Sequence, residues 1–108
     1  MPQQRCVVVL VTCPTRSNAL VLAEAVLRKR LAACANLVPG IESRFWWQGK
    51  IDRARETLLI LKTTARQVAR LRTAVLALHP YDVPEIIALP ITAAHPPYLQ
   101  WVSSSVSP

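Results

Sequence analysis

Glycine is nearly missing from this chain: there are two in 108 residues, Gly40 and Gly49. With none before residue 40, no glycine-rich loop can cradle a phosphate between the first strand and the first helix, which disfavours an acylphosphatase-type enzyme despite Arg16 in that loop. Cysteine is scarce and odd in number, three in all, so no disulfide framework is expected, and no CxxC or HxxxH spacing marks a metal site. No apolar run comes near the ~20 residues of a membrane-spanning helix. No basic segment followed by an apolar stretch precedes the first strand, so a signal peptide is not expected and the reading is cytoplasmic. Aromatic residues are absent from the first and third strand candidates, where an RNA-binding sheet of this kind would need them. No Ser-His-Asp or Cys-His motif is recognisable, and no enzymatic activity is expected. Acidic residues are few, six against thirteen Lys and Arg. The resulting charge of +7 is scattered over Arg28-Lys29-Arg30, Arg53, Arg55, Arg66, Arg70 and Arg72, the pattern of solvated faces rather than of a nucleic-acid surface.

What the chain does have is apolar content, 52%, in one domain's length, residues 1–108. Residues 6–11 (CVVVLV), 57–61 (TLLIL) and 85–89 (EIIAL) are short runs of Val, Ile and Leu without polar alternation, the signature of strands buried on both faces. The first strand ends near Thr12, before Pro14. Thr15 or Ser17 caps a helix to about Leu31, with Leu20, Ala23, Val26 and Leu31 at helical spacing. A second strand begins at Cys34, is interrupted at Pro39-Gly40 and resumes from Ile41 to Trp47. Gln48-Gly49 turns it into a third strand, residues 50–62, making a long hairpin. Thr63 or Thr64 caps a second helix whose buried stripe is Val68, Leu71, Val75 and Leu78. His79-Pro80 ends it, because proline cannot continue the helix. A fourth strand spans residues 84–89, and residues 98–102 form a last helical turn. Adding 51 maps Thr12 onto Thr63 and Pro39 onto Pro90, so the order is βαβ twice. Right-handed crossovers then give an antiparallel sheet of order 4-1-3-2 with both helices on one face, an α+β ferredoxin-like βαββαβ sandwich.

Two helices cover one face of such a sheet and leave the other bare. Four strands of about five residues make that face on the order of 300 Å². Keeping it wet would forgo roughly 8 kcal/mol at ~25 cal/mol per Å². An apolar patch of that size marks an interface, and another copy of the chain is the simplest cover. The hairpin carrying Phe45, Trp46 and Trp47 projects beyond the sheet and adds aromatic contact surface.

The same topology decides which polar residues meet. The end of the first strand, the end of the second helix and the start of the fourth strand share one end of the molecule. They bring Cys13, His79 with Tyr81, and Glu85 together, a thiol, an imidazole and a carboxylate able to hold copper or zinc. Cys34 and Lys62 lie at the opposite end, where an ammonium beside a thiol can activate it, although a small cysteine there is as readily a packing residue.

Four segments resemble the CutA divalent-cation tolerance family: LAACANLVPG (31–40), WWQGKI (46–51), ILKT (60–63) and HPYDVPEII (79–87). The resemblance runs from about residue 6 to residue 102. It implies a homotrimer with the three sheets facing one another, in the manner of the PII signalling proteins, and a role in tolerance of copper and other divalent cations. It implies copper ligation by a cysteine at the end of the first strand and by the histidine before Pro-Tyr. His79 matches that position. The cysteine's place is held by Val11, and Cys13, two residues on and on the same side of the strand, is the substitute. Two functions are therefore expected. One is a non-catalytic trimer binding copper or another divalent cation. The other is a PII-like sensor whose inter-subunit clefts, with Cys34, Lys62, Trp47, Lys50 and Tyr81 as candidates and Arg44 nearby, bind a small anion. A scaffold anchoring other proteins is a third reading, for which no residue pattern speaks.

Overall fold

The computed structural model describes residues 5–108; the first four residues of the expected 1–108 domain lie outside the described residues. The elements run β1 (Cys6–Cys13), α1 (Arg16–Arg28), β2 (Cys34–Trp47), β3 (Lys50–Thr64), α2 (Val68–Leu78), β4 (Ile86–Pro90) and α3 (Pro96–Ser105). The four strands form one antiparallel sheet of order β2-β3-β1-β4, the expected order read from the other edge.

Alternate residues separate the two faces of the sheet. Val7, Val9, Val11 and Cys13 of β1 and Leu59 and Leu61 of β3 point to the helices. There they form one core with Ala19, Leu22, Ala23 and Val26 of α1 and Leu71 and Val75 of α2. Each fully buried Leu or Val contributes roughly 1.5–3 kcal/mol, so this layer holds the helices on the sheet. The register puts Val8, Leu10, Leu58, Ile60, Ile87 and Leu89 together on the other face. Ile87 and Leu89 keep 46% and 47% of their surface exposed, so that face has no cover along most of its length.

Local chemistry explains where the elements depart from the periodicity. Thr15 caps α1, its Oγ1 accepting from the Asn18 N–H at 3.1 Å. The helix stops at Arg28 rather than near Leu31, because Arg30 takes a left-handed conformation (φ 58°) and the Leu31 N–H returns to the Val26 carbonyl at 2.9 Å. The buried stripe of α1 is rotated from the expected one: Ala19 and Leu22 are inside and Leu20 is 40% exposed. Neither Thr63 nor Thr64 caps α2. The Thr63 hydroxyl is already committed to the Leu31 carbonyl at 2.6 Å, and the helix is entered through a 3-10 turn, Ala65–Gln67. Leu78 is 48% exposed, which narrows the buried stripe of α2 to Leu71 and Val75.

Pro39-Gly40 does not interrupt β2. The step from Val38, opposite Leu58, to Ile41, opposite Glu56, inserts one extra residue as a bulge, with Gly40 at φ 74°. Gln48 and Gly49, both at positive φ (50° and 78°), close the hairpin in the turn type that suits the twist of its strands. The hairpin gives the molecule its long axis of 49 Å, against 26 and 21 Å across.

The C-terminal turn proves to be a ten-residue helix with prolines in its first turn, where a missing N–H costs nothing. It packs over the Cys6 end of the otherwise bare face. The Cys6 thiol donates to the Leu99 carbonyl at 3.8 Å, and Val102 is fully buried. The chain thus covers one end of that face itself, which two helices alone would not have done. No helix among the described residues is long and apolar enough to cross a membrane.

Candidate functional site

At the end where β1 stops and α2 runs into β4, the backbone brings Cys13, His79 and Tyr81 together. His79 caps the last turn of α2, its N–H bonding the Val75 carbonyl at 2.8 Å, which fixes the ring over the end of β1. Its Nε2 lies 2.8 Å from the Thr12 carbonyl, and its Nδ1 accepts the Tyr81 backbone N–H at 3.1 Å. A carbonyl can only accept, so Nε2 carries the ring proton and Nδ1 the lone pair, and both are in use. The Tyr81 ring stacks obliquely on His79, centroids 4.9 Å apart, and its hydroxyl donates to Glu56 Oε2 at 2.8 Å.

This carboxylate is the one the sequence reading missed. Glu56 is 7% exposed on β3, in a stretch of arginines where nothing but strand periodicity hinted at burial. Glu85, the expected carboxylate, stands exposed just before β4 and takes no part in these hydrogen bonds. The Cys13 thiol has no exposed surface and is pushed up to about 11, first by burial and then by the charge of Glu56. The Tyr81 phenol is pushed up to about 12 by burial and by the Glu56 carboxylate it bonds. The end is therefore a closed hydrogen-bonded cluster with a protonated thiol at neutral pH. Among the described residues, no three His, Cys, Asp or Glu side chains gather closely enough to hold a metal ion.

At the opposite end the sheet register sets Cys34 against Lys62. Both are half-buried, and Asn36 joins them: its Oδ1 accepts from the Lys62 ammonium and from the Cys34 thiol at 3.6 Å. The Tyr98 phenol of α3 lies against Cys34, and burial together with that thiol raises it above its ordinary value. Asn36 and Tyr98 were not among the expected site residues.

Trp47 and Lys50 are far from both groups. They face each other at the hairpin tip and line a shallow cleft with Gln48, Ile51 and Asp52. Twelve residue-to-residue steps along β3 separate Lys50 from Lys62, about 40 Å of extended strand. The five candidate cleft residues thus occupy three separate places in one chain: Cys34 and Lys62, Trp47 and Lys50, and Tyr81.

A family profile described as CutA1 divalent ion tolerance protein matches residues 7–105. The divalent-cation tolerance protein CutA of Thermus thermophilus is 47% identical over 95 residues, 88% of this chain and 92% of that protein. Protein CutA of mouse is 49% identical over 92 residues, 85% of this chain but 52% of its own length, so the chain spans about half of that relative. Among solved structures, CutA1 from Oryza sativa superposes with a TM-score of 0.94 at 44% identity, covering 97% of this chain and 96% of that one. The periplasmic divalent cation tolerance protein CutA from Archaeoglobus fulgidus gives 0.91 at 38% identity, covering 94% and 99%.

Proposed function

The chain belongs to the CutA1 divalent ion tolerance family, and from that premise we propose that it serves tolerance of copper or other divalent cations as a non-catalytic homotrimer. The observation that carries the assembly is the uncovered sheet face. Val8, Leu10, Leu58, Ile60, Ile87 and Leu89 form a continuous apolar surface, and the exposed Phe45 and Trp47 extend it along the hairpin, Trp46 pointing to the opposite side. A surface of that kind finds cover in a second and third copy presenting the same face, which is how closed symmetric assemblies arise.

The cation contact in this reading is weak or transient. As held here, Cys13, His79 and Glu85 do not fit a copper ion: the thiol is buried and protonated, both imidazole nitrogens are engaged, and the carboxylate lies elsewhere. No binding step is therefore assigned to them. Two measurements test the proposal. Light scattering should report about 36 kDa, three times the 12.0 kDa subunit. Calorimetric titration of Cu(I) and Cu(II) should show weak uptake that Cys13→Ala and His79→Ala leave unchanged. A folded monomer would remove the assembly. Loss of uptake in either variant would show that the cluster opens to take the ion. No uptake at all by wild type would remove the direct cation contact.

A further inference from the structure

We propose that Lys62 and Asn36 form a binding site for a compact oxyanion, a carboxylate or a phosphate, at the α3 end of the open sheet face. The reasoning starts from a charge without a counter-charge. Lys62 is half-buried beside Val8 and Cys34, its register neighbours on either side. Among the described residues, ion pairs join Arg28 to Glu24 and Arg44 to Glu42; Lys62 takes part in neither. Its hydrogen-bond partner is the neutral amide oxygen of Asn36. An ammonium partly withdrawn from water without a carboxylate favours any anion that reaches it, more so than a fully solvated lysine would.

Asn36 turns that charge into a directed site. Its Oδ1 accepts from both Lys62 and Cys34, which fixes which end of the amide is oxygen. Nδ2 is then the other end of the same amide, and among the described residues neither of its hydrogens meets a protein acceptor, on a residue that is itself exposed. An ammonium and an amide N–H₂, one amide group apart and free of carboxylates, can each bond one oxygen of the same oxyanion. The Tyr98 phenol beside Cys34 walls the site on the α3 side. This inference deepens the expectation that Lys62 and Cys34 meet a small anion and is independent of the cation reading.

The test is calorimetric titration of inorganic phosphate and, separately, of acetate, at constant ionic strength held with chloride, into wild type, Lys62→Met and Asn36→Asp. Asn36→Asp is the sharper variant: it keeps the oxygen that bonds Lys62, deletes the N–H₂ donors and cancels the charge. Wild type should bind one of the two anions saturably, and the better of the two identifies phosphate or carboxylate as the source. Both variants should bind it about tenfold or more weakly, the scale of one lost charge-assisted hydrogen bond. Light scattering on all three proteins accompanies the titration and should return the same mass. The proposal is overturned if wild type binds neither anion, or if both variants bind as wild type does. It is also overturned if Lys62→Met loses subunits while wild type binds no anion, because the charge then serves a contact between copies.

Discussion

Raising the pH should destabilise this protein first through a buried thiol. Cys13 has no exposed surface, and its thiol titrates at about 11 rather than 9.0, because burial and the neighbouring Glu56 both disfavour the thiolate. Between those values the unfolded chain releases a proton that the folded chain keeps, so stability falls as pH rises from about 9 to about 11 and is unaffected below. Two pH units at 1.36 kcal/mol each set a ceiling of about 2.7 kcal/mol. Chemical denaturation at fixed protein concentration, in steps across that range, measures the loss against Cys13→Ala. The variant gives up the packing of one sulfur, a pH-independent penalty of about 1 kcal/mol. The two stability curves should therefore cross on the alkaline side, the variant becoming the more stable protein. Tyr81 and Tyr98 are shifted in the same direction, but both proteins carry them, so their contribution largely cancels in the difference. Parallel curves, or a native thiolate absorbance already rising at pH 9, would refute the placement of Cys13.

The cluster beside it gives a second prediction: Tyr81→Phe removes the hydroxyl that donates to the buried Glu56 and should cost about 1–3 kcal/mol, read as a lowered denaturation midpoint. On the open face, Leu10→Asp should reduce the mass seen by light scattering to that of one subunit while the circular dichroism spectrum keeps its shape, since Leu10 lies on the face away from the helices. At the hairpin tip, Gly49→Ala meets no atom within 4 Å, so its effect is that of the positive φ alone, about 1 kcal/mol of thermal stability.

The sheet was legible because its signals were redundant. The runs at Val7–Val11 and Leu58–Leu61 are short, continuously apolar and, in the first, rich in β-branched residues, which reads as strands, and handed crossovers left one way to order them. Features set by a single hydrogen bond were not legible. Thr63 reads as a cap until its hydroxyl is seen to hold the Leu31 carbonyl, and the last helical turn, expected at residues 98–102, in fact starts at Pro96-Pro97, because prolines suit a helix's first turn. At the site, chain order correctly drew Cys13, His79 and Tyr81 to one end. It took Glu85 from its place at the start of the fourth strand, whereas Tyr81 reaches across to Glu56 on β3, a choice made by side-chain reach.

The two thiol ends of the sheet show why one chain alone makes a poor cation trap despite its family. A soft cation needs a thiolate or a free imidazole that water can reach. Cys13 and His79 have the right chemistry, but the thiol is buried and held protonated by burial and the charge of Glu56, and both imidazole nitrogens are taken by the Thr12 carbonyl and the Tyr81 N–H. Cys34 is reachable, but the Lys62 ammonium shares its acceptor, Asn36, and repels an approaching cation. The overall charge of +7 works in the same direction. The proposed cation response would therefore draw on either groups from a neighbouring copy in the proposed trimer or an opening of the His79 cluster. The Cys13→Ala and His79→Ala titrations separate these two: uptake that survives both substitutions belongs to groups outside the cluster, and uptake that vanishes with either belongs to the opened cluster.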